Sequence, residues 1–317
     1  MKKVLLISMG MLFGIALMGG DTKISGDTHF GYNLKSADES DFAISRAYFT
    51  VQSNLSDNLS FKFQTDVGSG SPSDFTVYLK NAKLDWKTEL GLMTLGLQGL
   101  NTFGVQESTW GYRFIEKSAM DRKKFASSAD IGLGFEKKLS SITSSLIVSN
   151  GTGYKKKEDD AHKKVSFRLL YGESKLKKGF NVGLISTYEA NDYENISASD
   201  TSIAKGHTIV VGGFGGALLG SLRVGGEFNR MTSTNASSYS KTLLSVYTNY
   251  PLGNNLSVFG RVDAYSTDVS GNGELYVVAG LNYQPEKQLH IAPNIAILTK
   301  ENEDTSLVYR LNFRLSF

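Results

Sequence analysis

Large apolar and polar side chains alternate with a period of two residues in many segments of this chain. From Leu307 to Phe317 every odd position is large and apolar, and every even position except Val308 is polar. Successive side chains of a β-strand point to opposite faces, so such a segment has one apolar and one polar face. The pattern predicts an all-β protein. It recurs in other segments, among them 59–64, 165–169 and 222–225.

Sixteen strands can be predicted on this basis. Lengths of about 9 to 14 residues suit a tilted crossing of a bilayer and exceed the ~5–6 residues of an average soluble strand. The predicted strands are 22–34, 42–55, 59–68, 75–86, 89–98, 129–138, 142–150, 164–173, 179–190, 206–217, 221–230, 240–252, 256–266, 273–284, 289–299 and 305–317.

The links between these strands alternate in length. Links after even-numbered strands are short, whereas links after odd-numbered strands are generally longer and more polar, which is typical of outer-membrane barrels. In hydrocarbon an unpaired backbone amide costs several kcal/mol, so a sheet that crosses the membrane must close on itself. A ring of about 16 strands leaves a water-filled channel. We therefore predict a closed transmembrane antiparallel β-barrel.

The first residues have the pattern of a secretory signal. Lys2 and Lys3 precede an apolar stretch that ends near Met18, so we expect a signal peptide at 1–20 and a barrel domain at 21–317. The barrel domain has no run of 18 apolar residues, which excludes a helical membrane protein. The 34 basic and 31 acidic residues nearly balance, which gives no reason to expect a nucleic-acid partner.

The longest link, 99–128, is the third of the long links. A 30-residue loop is unusual in a compact domain and is usually functional or disordered. Its aromatic residues suggest that it packs inside the barrel and forms a constriction, although an exposed surface loop is the alternative. The charged constriction candidates on it are Arg113, Glu116, Lys117, Arg122, Lys123 and Lys124.

The alternation also predicts which charged side chains face the lumen. Lysine and arginine in a channel wall favour anions, but here acids nearly match bases, so only a mild anion preference is expected. Each of these charges could instead solvate the wall or pair with a neighbour. The main candidates are Arg46, Lys62, Asp66, Arg168, Arg223, Glu227, Arg261, Asp263, Arg310 and Arg314, with Lys83, Asp85, Asp130 and Glu136 as further positions.

Two resemblances extend this interpretation. The alternating segment that ends in Phe317 resembles the C-terminal assembly signal of Gram-negative outer-membrane proteins, which implies delivery to the barrel-assembly machinery. A partial resemblance to the phosphate-selective porin family rests on 44–49, 55–66, 95–99, 113–118, 132–134 and 148–154. It implies a third extracellular loop folded into the lumen, a homotrimer surrounded by outer-membrane lipid and lipopolysaccharide, and phosphate among the permeating anions.

The function predicted from the sequence is therefore passive diffusion of small hydrophilic solutes and ions through an outer-membrane porin. No cofactor, metal site or catalytic residue is expected, because the four histidines are scattered and no Gly-x-Ser-x-Gly motif occurs. The alternative is a non-porin barrel, either an adhesin or structural protein or an outer-membrane hydrolase.

Overall fold

The computed structural model describes residues 21–36, 39–71, 74–158, 160–196, 201–235, 238–268 and 273–317. Sixteen antiparallel strands pair in sequence order into one closed barrel. They are β1 (Thr22–Ser36), β2 (Glu39–Asn54), β3 (Leu59–Ser71), β4 (Asp74–Lys87), β5 (Leu92–Gly99), β6 (Ala129–Leu139), β7 (Ile142–Ser149), β8 (Lys164–Gly172), β9 (Phe180–Ile196), β10 (Thr201–Leu219), β11 (Leu222–Thr234), β12 (Tyr239–Gly253), β13 (Leu256–Thr267), β14 (Glu274–Glu286), β15 (Leu289–Lys300) and β16 (Ser306–Ser316).

The barrel closes where β1 pairs with β16. The paired segment runs from Asp27 opposite Ser316 to Leu34 opposite Tyr309. The backbones of Gly26 and Phe317 exchange two further hydrogen bonds of 3.1 Å. Closure leaves no strand edge with unpaired backbone groups, as a sheet in hydrocarbon requires.

The two faces of the wall differ as the alternation predicts. On β13, Val258 and Val262 are about 40% exposed, whereas Arg261 and Asp263 between and beside them are nearly completely buried. Exposed apolar side chains therefore form the outer face, and the intervening polar side chains point into the barrel. No helix within the described ranges is long and apolar enough to cross a membrane.

The predicted strand number and the closed antiparallel barrel are confirmed. The largest differences lie on the rim that carries the long links, where β9 and β10 extend several residues beyond the predicted ends at 190 and 206. The segment between β5 and β6 contains two short helices that the sequence did not predict, α1 (Gly104–Trp110) and α2 (Ala119–Arg122).

Candidate functional site

The segment 100–128 buries its apolar side chains against the inner face of the wall. Trp110, Phe114, Met120 and Phe125 are at most 3% exposed. Burial of this much apolar surface stabilises the attachment of the segment to the wall. Two clusters result: Phe103, Met120 and Phe125 pack with Leu170, Phe214 and Leu243, and Trp110, Phe114 and Ile115 pack with Tyr247, Phe259 and Tyr276.

Polar contacts attach the first half of the segment to β7–β9 and β12. The Asn101 amide donates to the backbone carbonyls of Ser145 (3.0 Å) and Ser166 (3.2 Å). Asn249 donates to the carbonyl of Trp110 at 3.3 Å, which satisfies one acceptor at the end of α1. Ser145 and Ser166 are buried residues of β7 and β8, so the contacts attach the segment to the polar face of the wall.

Ion pairs attach the second half to β13 and β14. Arg122 approaches Asp263 at 3.4 Å and Glu274 at 2.5 Å, and Lys123 also pairs with Glu274. Arg261 pairs with Asp263 at 2.5 Å and donates to the carbonyl of Lys117 at 2.5 Å. Five of the residues predicted from the sequence thus meet in one network: Arg261 and Asp263 of the wall, and Arg122, Lys123 and the backbone of Lys117 of the segment.

Glu116 connects the segment to β14 and β16. Its carboxylate accepts a hydrogen bond from the Tyr276 hydroxyl at 2.5 Å and pairs with Arg310 at 3.2 Å. Burial tends to raise the pKa of Glu116, but the charge of Arg310 and the Tyr276 hydrogen bond outweigh it, so the pKa lies below the usual 4.5. The group is therefore a stable carboxylate.

A cavity of about 480 Å³, the turn-side cavity, lies between the segment, the strands β1, β2, β11 and β16, and the short link after β8. Arg113 in its wall is paired with Glu107 at 3.0 Å. Six basic side chains and two carboxylates line the cavity: Arg46, Arg113, Lys175, Lys177, Arg223 and Arg314, with Asp27 and Glu107.

Two further cavities lie along the segment 100–128. The central cavity, of about 170 Å³, is lined by Arg113, Glu116, Lys117 and Arg310 and by neutral residues of β1, β2 and β16. The loop-side cavity, of about 440 Å³, has five lysines and two carboxylates: Lys117, Lys124, Lys155, Lys164 and Lys241, with Asp121 and Glu189. Arg113 lines the first two cavities and Lys117 the last two, so the central cavity adjoins each of the other two.

Most of the predicted acidic wall residues do not line these cavities. Asp66 accepts the backbone N–H groups of Ala47 (3.1 Å) and Val67 (2.9 Å), and it lies 3.6 Å from Arg46. Asp130 likewise accepts two backbone N–H groups, and Glu227 is buried beside Asn229. These carboxylates are thus held by contacts within the wall.

The other predicted wall positions are separate from the central network. Arg168 pairs with Glu136 at 2.8 Å, and Arg314 pairs with Asp27 at 2.8 Å. Lys62 lies opposite Lys83 in the strand register. Arg223 donates to backbone carbonyls of α1 rather than to a carboxylate.

Several residues around the cavities were not singled out from the sequence. Lys164 and Lys241 have the alternation phase of inward positions, so a stricter reading of the pattern finds them. Lys175 and Lys177 lie in a link that was predicted only as a tight turn, and no local signal places them beside a cavity.

Structure comparison defines the class of fold. The barrel is similar to an outer-membrane protein of Vibrio cholerae, OmpT (TM-score 0.72, 10% identity, 94% of this chain and 99% of that chain). It is also similar to an anion-selective porin from Comamonas acidovorans (0.68, 10%, 94% and 100%) and to the outer-membrane channel DcaP of Acinetobacter baumannii (0.64, 12%, 94% and 98%). The chain therefore has the fold of the sixteen-stranded outer-membrane porins.

Sequence comparison adds no closer relationship. No protein-family model matches the chain, and no curated protein matches it. The partial resemblance to the phosphate-selective porin family accordingly stays a prediction.

Proposed function

We propose that this chain is an outer-membrane porin that passes small hydrophilic solutes and ions by diffusion and prefers anions. Its fold supports the channel: a closed barrel of sixteen strands with an apolar outer face suits a bilayer, and a ring of that size leaves space for water. Diffusion requires no catalytic group, and we assign none.

The observation that carries the anion preference is the charge along the three adjoining cavities. Basic side chains outnumber carboxylates in each of them, by six to two, three to one and five to two. Basic groups in a channel wall replace part of the hydration energy that an anion loses on entry. Because the acids Asp66, Asp130 and Glu227 lie outside these linings, we propose a clear preference instead of the mild one inferred from the sequence.

We further propose that the segment 100–128 lies across the lumen and forms the constriction. Two observations support this placement over an exposed loop. Trp110 and Phe125 are each 1% exposed, and the polar and ionic contacts of the segment go to inward-facing residues of strands from β7 to β16. The central cavity, the smallest of the three, is lined by Arg113, Glu116 and Lys117 of this segment together with Arg310 of the wall.

The cellular context follows from the same proposal. We propose export through the signal peptide at 1–20, which lies outside the described residues, and assembly by the barrel-assembly machinery through the strand that ends in Phe317. We also propose a homotrimer in outer-membrane lipid and lipopolysaccharide. A trimer form is known for the similar protein of Vibrio cholerae. Phosphate is among the small anions that would pass.

The test is a reversal-potential measurement on the purified chain in a planar bilayer with an about tenfold KCl gradient. An anion-selective channel gives a reversal potential that lies toward the equilibrium potential of chloride. Liposomes that contain the channel swell in isotonic sugar or amino-acid solutions. Correctly folded protein that gives neither current nor swelling would favour an adhesin, a structural barrel or a hydrolase. A cation-selective current would contradict the anion preference alone.

A further inference from the structure

The link between β8 and β9 differs from the other links on its rim. It comprises seven residues, 173–179, whereas the other short links have two to four. Its central apolar residue, Leu176, is only 2% exposed, although residues of turns are normally exposed. The link therefore folds toward the interior of the barrel, and we call it the β8–β9 turn.

Two wall side chains join the β8–β9 turn to helix α1. Arg223 donates to the carbonyl of Leu176 at 2.9 Å and to the carbonyls of Ser108 and Thr109 at 3.3 and 3.4 Å. Asn181 donates to the carbonyl of Glu173 and to the Thr109 hydroxyl, both at 3.0 Å. The turn and the segment 100–128 are thus attached to the same two residues.

The turn is also stabilised internally. The Glu173 carboxylate accepts the backbone N–H groups of Lys177 at 2.6 Å and Lys178 at 3.2 Å. These hydrogen bonds stabilise the charged form and lower the pKa of Glu173. A carboxylate that spans the turn in this way restricts the backbone that carries Lys175 and Lys177.

Lys175, Leu176 and Lys177 all line the turn-side cavity, together with Arg46, Arg113 and Arg314. All three lysines of the turn are exposed, but Lys178, the next residue, does not line the cavity. We propose that the β8–β9 turn is a second selectivity element, in series with the constriction, in which Lys175 and Lys177 attract small anions at the short-turn mouth of the channel. This inference rests on the proposed porin function.

The lysines can be tested by neutralisation. In a planar bilayer at about 0.1 M KCl, the K175Q/K177Q variant should lower the chloride-to-potassium permeability ratio about threefold, because two positive charges leave the mouth of the path. K178Q removes the same kind of charge from the same turn and should leave the ratio unchanged. Equal ratios for wild type and K175Q/K177Q would overturn the inference, as would an equal loss in K178Q.

Thiol labelling gives a second readout, because the chain has no cysteine of its own. A negatively charged methanethiosulfonate reagent should reduce the chloride conductance of K177C and leave that of K178C unchanged, although both thiols react. Unchanged conductance of labelled K177C would contradict a role of the turn in permeation. Absence of any channel activity in the wild type would instead refute the proposed function, so the two failures are distinguishable.

Discussion

Replacement of Glu116 by glutamine should make the channel more anion-selective. Glu116 is the one carboxylate that lines the central cavity, where it faces Arg113, Lys117 and Arg310. An ion that passes about 6 Å away interacts with a unit charge by about 0.7 kcal/mol in a water-like dielectric, and salt at 0.1 M reduces this to about 0.4 kcal/mol. Removal of the Glu116 charge favours an anion by this energy and disfavours a cation by the same energy. The chloride-to-potassium permeability ratio should therefore rise about fourfold.

The assay is the reversal potential of E116Q in a KCl gradient, measured once at a mean concentration of about 0.1 M and once at about 1 M. Screening at the higher concentration should abolish most of the effect, which separates a charge effect from a change in channel width. R310Q should shift the ratio in the opposite direction, and the double variant should approach the wild type. E303Q, on an exposed loop, controls for loss of a carboxylate elsewhere. An unchanged or lowered ratio in E116Q at low salt would refute the reasoning.

Three further predictions concern the segment and the wall. Deletion of residues 105–122 should raise single-channel conductance, and an unchanged conductance would reject the proposed constriction. Gly132→Ala should lower the free energy of unfolding by about 1–3 kcal/mol in urea titrations, because a Cβ there clashes with the β7 backbone at Val148 and Ser149. Gly260→Ala is the control and should have little effect, because the space around Gly260 is open. Because the pKa of Glu116 lies below 4.5, its pair with Arg310 should persist as the pH falls from neutral to 4.5 and be lost at lower pH. Loss of the pair should appear as increased current noise, and noise that increases already above pH 4.5 would contradict this expectation.

The strands could be predicted from the sequence because two independent constraints agree on them. Alternation decides which face each side chain occupies, and the bilayer decides how long a strand has to be. Both constraints are local, so they can be read from short stretches of sequence. The strand ends beyond the membrane follow neither constraint, which explains why β9 and β10 extend further than predicted.

The segment between β5 and β6 was harder to predict because contacts distant in sequence determine its structure. Helix α1 has no side-chain cap at its start, and a wall residue, Asn249, satisfies a carbonyl near its end. A seven-residue helix is too short to be stable alone, so packing of Trp110 against the wall stabilises it. The sequence showed that the segment is aromatic and charged, but not which strands it contacts.

The charge that borders the three cavities was hard to predict from the sequence for the same reason. The sequence gives the number of acids and bases on the inner face, but not whether each charge faces open space. Backbone N–H groups and neighbouring arginines surround Asp66 and Asp263, whereas the side chains of Lys117 and Lys124 line a cavity. A count of charges on the inner face therefore does not give the charge that borders a cavity.

The contacts of the segment also indicate which strands the cavities lie against. The apolar clusters of the segment lie against β8 to β15, while the turn-side and central cavities lie against β1, β2 and β16, where Arg310 pairs with Glu116. Strands β1 and β16 form the closure of the barrel, so these two cavities lie at that junction, whereas the loop-side cavity lies against β8 to β12. The pair of Asp27 and Arg314 bridges the junction and lines the turn-side cavity, whereas the similar pair of Arg168 and Glu136 lines none of the three cavities. Ion pairs of equal geometry on the inner face thus differ in whether they border a cavity.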